Sequence, residues 1–220
     1  MINLILWKPQ SVFDTYFNKV CAFVTKQGNE NNYCHAESVF TFTKQEWKDK
    51  LLAFDKNYGN ISIRAKSLWA RMEAASGDID NDAFVSLCFY TIWGSRLSVR
   101  LLTQYDEYVF NRLPDKQFTE SLHLDFTDEE LRTCLAFSLQ ELDKEYDPFK
   151  AILYFLPPVL INRPESPNLP KKYFCSEFIC YMIKQVGYLK DSIPEKVTPN
   201  HIPGLYTKLE REIKIKRAIT

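Results

Sequence analysis

The stretch from Phe174 to Val186 constrains the fold most, because its apolar side chains recur every three or four residues. These side chains are Phe174, Cys175, Phe178, Ile179, Met182, Ile183 and Val186. Gly187 follows directly, and glycine commonly ends helices. The residues before it, 162–172, place prolines between polar side chains, which is typical of an extended surface loop. The pattern predicts a buried helix with Cys175 in its first turn.

Alternating and β-branched segments predict strands earlier in the chain. Ile2 to Trp7 fits a first strand, and Tyr33 to Phe42 is rich in aromatic and β-branched residues. The second of these leads to Thr43, which is a candidate cap for a short helix over 44–52. We also predict a strand from Asn60 to Leu68, because apolar and polar side chains alternate there.

Other segments predict helices or fit either type of structure. Apolar side chains between Val12 and Val24 recur at helical spacing, which predicts a helix buried along one side. Thr127 is a candidate N-cap for a helix that ends before Pro148, since acidic residues occupy its first turn. The patterns over 80–113 and from Leu205 to Arg217 do not distinguish a strand from a helix.

Length and charge limit the class of protein. With 220 residues the chain fits one domain, 1–220. Its 28 basic and 28 acidic side chains leave no net field to attract phosphates, so we expect no nucleic-acid partner. The longest apolar run, Ala151 to Ile161, is far shorter than the roughly 20 residues of a membrane span. The start of the chain lacks the basic region and cleavage site of a secretory leader. We therefore expect neither a leader nor a transmembrane segment.

The six cysteines have no paired CxxC spacing. A chain of this length needs no disulfides to fold, so a reducing, cytoplasmic setting is expected, with most thiols acting as small core residues. His123 and His201 have no ligand spacing with the cysteines. We expect no metal site and no cofactor.

Cys175 is the first candidate for chemistry. A thiol at the start of a helix lies beside unpaired backbone N–H groups and the positive end of the helix dipole, which favour the thiolate. The same N–H groups can bind an oxyanion when a carbonyl is attacked. The alternative is a cysteine that only fills space on the apolar side of a helix. Glu177, in the same first turn, is interpreted as a structural residue that stabilises the helix dipole.

His35 and Glu37 form the second candidate group. They lie two residues apart on a predicted strand, so both side chains point to one face, about 7 Å apart at their Cα atoms. A carboxylate at that distance can orient an imidazole, and an oriented imidazole can act as the base for a thiol. The alternative is a histidine at a sheet edge with a solvated glutamate beside it.

Two motifs together resemble the permuted branch of the NlpC-type papain-like superfamily, the group of the YiiX-like proteins. They are YCHAESVF at 33–40 and YFCSEFICYMI at 173–183. Family members are similar in having a His-x-Glu strand, a proline-containing loop and a Phe/Tyr-Cys-Ser-Glu helix start. Papain has its cysteine before its histidine, whereas His35 precedes Cys175 here. That reversed order is what a circular permutation produces.

The resemblance implies an α+β fold in which an antiparallel sheet or small barrel packs on the helix that carries the nucleophile. It implies a cysteine peptidase or amidase that acts on an amide or ester. The residues it singles out are Cys175 as nucleophile, His35 as base, Glu37 as the group orienting His35, and Tyr33, Ser176 and Tyr173 as oxyanion or substrate contacts. In many relatives the orienting group comes from the next strand, where this chain offers Ser62 and Arg64. Residues 70–126 resemble an insertion that covers the cleft.

Three alternatives stay open at this stage. An amine or alcohol acceptor instead of water makes the protein an acyltransferase, like the related lecithin:retinol acyltransferase group. A lipid substrate requires peripheral membrane contact, for which 151–161 is the candidate segment. A binding or scaffold protein can retain the fold without turnover. Relatives occur in bacteria and in large viruses, so a virion-associated location is the alternative to the cytoplasm.

Overall fold

The computed structural model describes residues 1–7, 33, 35–77, 79–91, 96–102, 119–147 and 171–219. The strands are β1 (Ile2–Trp7), β2 (His35–Thr43), β3 (Phe84–Tyr90), β4 (Ser98–Leu102), β5 (Thr119–Leu124), β6 (Glu145–Tyr146) and β7 (Lys172–Tyr173). The helices are α1 (Lys44–Leu52), α2 (Asn60–Ala75), α3 (Asp128–Glu141), α4 (Cys175–Gln185) and α5 (Ile202–Ile219). Short 3₁₀ turns lie at Lys56–Tyr58, Pro194–Lys196 and Pro199–His201. The expected α+β class is confirmed.

The first five strands form one antiparallel sheet in the order β4-β3-β2-β1-β5, with β2 at its centre. The register pairs Trp7 with His35, Val39 with Cys88, and Cys88 with Arg100. Directly opposed residues share a face of a sheet, so Val39, Cys88 and Arg100 lie on the same face. The other sheet is the short parallel pair of β6 and β7.

The main core lies between the sheet and the helices. Phe40 from β2 and Leu87 from β3 join one buried cluster with Phe178 and Met182 of α4. Burying one such side chain stabilises the fold by about 1.5–3 kcal/mol. A smaller cluster on the opposite face of the sheet includes Val39. Alternation along β2 thus sends even-numbered residues to the helices and odd-numbered residues to the other face. His35 belongs to the odd-numbered set, but it is the first residue of the strand, and at this end of β2 its side chain reaches the start of α4.

α4 is held from two directions. It packs against β2 and against α3, where the rings of Phe137 and Phe178 stack with centroids 5.8 Å apart. α3 begins at Thr127, whose side chain accepts from the Glu130 N–H while the Glu130 carboxylate accepts from the Thr127 N–H. Gly187 follows α4 with φ of 85°, a conformation that favours glycine. Core packing and these helix ends together fix the position of Cys175.

Several elements agree with the sequence-based predictions. β1, β2, the Thr43-capped α1, the Thr127-capped α3 and α4 all form where they were predicted. The segment from Leu205 to Arg217 belongs to helix α5, and the region 80–113 contains β3 and β4. The predicted helix at 12–24, the apolar run 151–161 and most of the proline-containing loop lie outside the described residues.

The strand predicted from Asn60 to Leu68 is wrong, because these residues begin helix α2. Its buried side chains are Ser62, Ala65, Leu68 and Met72, which are spaced three or four apart, and Ile63 is 68% exposed. Over so few residues, alternation and helical spacing share several positions. Ser62 and Arg64 therefore do not lie on a strand after His35.

The interpretation of 70–126 as an insertion over the cleft stays a prediction, and the described part of that segment contributes to the central sheet. It supplies β3, β4 and β5, which are three strands of the central sheet. Among the described helices, none combines the length and apolar character required to cross a bilayer.

Candidate active site

Cys175 is the first residue of α4. Phe174 precedes it with an extended backbone, and its N–H donates to the Glu177 carboxylate at 3.1 Å. The Phe178 N–H donates to the Phe174 carbonyl at 3.0 Å, which closes the first helical turn. The thiol therefore lies at the positive end of the helix, as predicted, and Cys175 is only 2% exposed. Glu177 is fully buried and has the structural role predicted for it.

His35 is the first residue of β2, opposite Trp7 on β1. The side chain of Cys175 lies close enough to this imidazole to interact with it directly. Its Nε2 lies 3.3 Å from Oε1 of Glu37, and the side chain is 20% exposed. Because Nε2 faces Glu37, the other ring nitrogen, Nδ1, is the one available to the thiol. Two residues 140 positions apart in sequence thus meet, as the sequence predicted.

Glu37 is held from two further strands. Nη2 of Arg100, on β4, lies 2.8 Å from Oε1 and 3.0 Å from Oε2 of Glu37. The Cys88 thiol, on β3, donates to Oε2 at 3.4 Å. The Glu37 side chain is 4% exposed. Burial of an ionised carboxylate is costly unless it is paired and hydrogen-bonded, and here it is both.

Arg100 is a site residue that the sequence patterns did not single out. The region 80–113 was not assigned to strand or helix, so no strand register connected Arg100 to Glu37. One signal was present, since Arg100 is a charged residue flanked by Val99 and Leu101 in an apolar run. An arginine on a half-buried strand usually has an acidic partner.

The surroundings of His35 favour its charged form. Burial lowers the pKa of His35, but the sulfur of Cys175 and the carboxylate of Glu37 raise it by more, to about 10. Burial also raises the pKa of Glu37, yet His35 and Arg100 together hold it below its usual value. The site therefore favours an imidazolium beside an ionised carboxylate. An imidazolium next to a sulfur stabilises the thiolate, which is the nucleophilic form of cysteine.

These shifts predict how the site contributes to stability. The pKa of His35 is raised on folding, so the contribution of its charge is complete below about pH 6.5 and is lost as pH rises through about 10. We expect His35→Gln to lower the free energy of unfolding by at least about 1 kcal/mol more near pH 6 than near pH 10. Urea denaturation of both proteins across this range measures the difference. A difference that stays constant with pH would contradict the assigned charge state.

The remaining predicted site residues have other partners in the structure. The Tyr33 hydroxyl donates to Glu120 on β5, and the Tyr33 N–H donates to the Asn200 side chain at 2.6 Å. The Tyr173 hydroxyl donates to Glu141 at the end of α3, and the Tyr173 side chain is fully buried. The Ser176 hydroxyl donates to the Val197 carbonyl at 2.6 Å. These contacts join the site to β5, α3 and the 194–197 turn.

The other described cysteines lie in surroundings of a different kind. Burial raises the pKa of Cys180, on the same helix as Cys175, to about 12. Burial also raises the pKa values of Cys134 and Cys88, and the nearby carboxylates add to that effect. Of the four described cysteines, Cys175 is the one that interacts with an imidazole. Among the described residues no three His, Cys, Asp or Glu side chains cluster in a way that could hold a metal ion.

Comparison with known proteins adds no relative. No family model matches the chain, and neither a curated protein nor a solved structure matches it. The function is therefore inferred from the geometry around Cys175 and from the resemblance of the two motifs.

Proposed function

We propose that this chain is a cysteine-dependent hydrolase, a peptidase or amidase, with a circularly permuted papain-like fold of the NlpC type. The observation that carries the proposal is the contact between the thiol of Cys175, at the start of α4, and the imidazole of His35. The buried Glu37 carboxylate hydrogen-bonds to the same imidazole. The order of His35 before Cys175 and the antiparallel sheet beside α4 support the fold assignment.

The proposed reaction begins with the Cys175 thiolate and the His35 imidazolium. The sulfur attacks the acyl carbon, and the electron pair of the C=O bond moves to oxygen, where N–H groups at the start of α4 stabilise the oxyanion. The C–N or C–O bond then breaks, and His35 donates its proton to the leaving amine or alcohol. His35 next takes a proton from water, the hydroxide attacks the thioester, and the acid leaves while the thiolate reforms.

A small activated ester tests the proposal. p-Nitrophenyl acetate carries a small acyl group, which suits a thiol that is only 2% exposed. We expect an acetyl adduct on the peptide that contains Cys175, detected by mass spectrometry after rapid acid quenching, followed by its loss as water enters. The matched control is the Cys175→Ala protein. Absence of the adduct from the folded wild-type protein would contradict the proposal and favour a non-catalytic scaffold.

The same experiment distinguishes water from other acyl acceptors. With a primary amine or a long-chain alcohol added, hydrolysis still gives acetate as the product. An acyltransferase gives the acetylated amine or ester instead, at the expense of acetate. We expect acetate to dominate, and dominance of the transfer product would replace the hydrolase assignment with an acyltransferase.

A further inference from the structure

A row of polar side chains crosses three strands on one face of the sheet. His35 and Glu37 lie on β2, and Cys88 on β3 is directly opposite Arg100 on β4. The register of β2 and β3 pairs Val39, two residues beyond Glu37, with Cys88. Residues two apart on a strand share a face, so the whole row points to one side. Arg100 is thus brought to the active site by the pairing of three strands.

We propose that Arg100 is a positioning residue of the candidate active site, which holds the Glu37 carboxylate in place so that Glu37 keeps the His35 imidazole turned toward Cys175. This inference rests on the proposed function. Arg100 acts through Glu37 and His35, and no contact with substrate is required of it.

The geometry of Glu37 supports this role. Oε1 is shared, because it lies 2.8 Å from Nη2 of Arg100 and 3.3 Å from Nε2 of His35. Oε2 accepts from Arg100 and from the Cys88 thiol, which is a weak donor. A carboxylate fixed at both oxygens has one orientation, and its position sets that of the imidazole. An isolated salt bridge that only stabilised the fold would not need to share the oxygen that orients the histidine.

Arg100 is itself held in place. The guanidinium carbon lies 4.6 Å from the centre of the Tyr90 ring, which is within the range of a cation–π contact. The Arg100 side chain is 33% exposed, so its charge retains contact with solvent while it faces the buried carboxylate. Lysine in its place keeps the charge but lacks the planar fork that stacks on an aromatic ring.

Loss of the guanidinium has a defined electrostatic effect on Glu37. Among the described residues, those that face this carboxylate include His35 on its own strand, Cys88 on β3 and Arg100 on β4, and Cys175 of α4 lies beyond His35. Burial acts to raise the pKa of Glu37, and His35 and Arg100 counter it. Without Arg100 the pKa of Glu37 rises. Protonated Glu37 no longer holds the imidazolium. As pH falls, the active form is therefore lost at a higher pH in the variant than in the wild-type protein.

Three variants test the proposal. The rate of Cys175 alkylation by iodoacetamide is measured against pH by peptide mass spectrometry in wild type, Arg100→Gln, Arg100→Lys and Arg64→Gln. Arg64 is the matched control, since its side chain is 30% exposed and it bonds to Asp143 and the end of α3, away from the site. For Arg100→Gln we expect the acid limb of the profile to move up by about one pH unit, which slows alkylation about tenfold on that limb. Arg100→Lys keeps the limb near its wild-type position, and Arg64→Gln matches wild type.

A purely structural role for Arg100 gives a different result. Arg100→Gln would then unfold at lower urea concentration than wild type while its profile kept the wild-type shape, and that outcome would overturn the proposal. The carboxyl carbon of Glu37, followed by ¹³C NMR in Cys175→Ala protein, gives a second readout that needs no reactive thiol. An upward shift of the Glu37 titration in Arg100→Gln supports the proposal even if the hydrolase assignment fails, and an unchanged titration rejects it.

Discussion

Replacing Cys175 with alanine is expected to abolish acyl-adduct formation and to lower turnover of an activated ester by about 10⁴-fold or more, as loss of a catalytic nucleophile does. Alanine removes only the sulfur at a buried position of α4, so the fold should be retained. The measurement combines initial rates with intact-protein mass after quenching. Far-UV circular dichroism and urea denaturation establish that the variant is folded.

Cys180→Ala is the matched control for this experiment. Cys180 lies on the same helix and is fully buried, but it has no imidazole partner among its described contacts, and burial raises its pKa to about 12. We expect Cys180→Ala to retain turnover within about twofold, since a residue outside the reacting group contributes little to kcat. Equal losses in the two variants, or full activity of Cys175→Ala, would show that Cys175 is not the nucleophile.

Replacing His35 with glutamine is expected to lower turnover by about 10³-fold or more, because glutamine can hydrogen-bond to Glu37 but cannot carry a proton between thiol, leaving group and water. The fold should survive, since the side chain is 20% exposed and lies at the first residue of β2. Steady-state kinetics give the change in kcat and KM. We expect most of the loss in kcat, because His35 transfers protons and is not required for binding.

His123→Gln is the control for the histidine experiment. His123 also lies on a strand of the sheet, β5, where its Nδ1 is 3.1 Å from Oδ1 of Asn3. Glutamine can maintain a contact of that kind, so turnover should be close to wild type. A loss of activity in His123→Gln comparable to that in His35→Gln would mean that damage to the sheet, and not proton transfer, explains both.

Local patterns determined which parts of the fold could be predicted. β2 and α4 carry their own periodicity, and Thr43 and Thr127 cap the helices that follow them, so these elements could be recognised from the sequence alone. α2 was missed because the few residues from Asn60 onward fit both alternation and helical spacing. The burial of Ser62 and Met72 and the exposure of Ile63 separate the two patterns, and these are properties of the folded chain.

In the candidate site, too, the residues marked by a local sequence pattern could be predicted and those placed by tertiary pairing could not. Glu37 was predicted because it is two residues from His35, and Cys175 because it starts a strongly apolar helix. Arg100 reaches Glu37 only through the register of β2 with β3 and of β3 with β4, which is tertiary information. Tyr33 and Tyr173 were chosen by their place in the motifs, whereas packing turns their hydroxyls toward Glu120 and Glu141.

The central claim is that the imidazole of His35 activates the sulfur of Cys175, and the pH dependence of Cys175 alkylation tests it most directly. An ordinary thiol gains reactivity as pH rises through about 8.5. Near pH 6, where the charged imidazole favours the thiolate, wild-type protein should alkylate at Cys175 faster than His35→Gln, which should show the steep rise of an ordinary thiol. A steep rise in wild type that is identical in His35→Gln would contradict the claim.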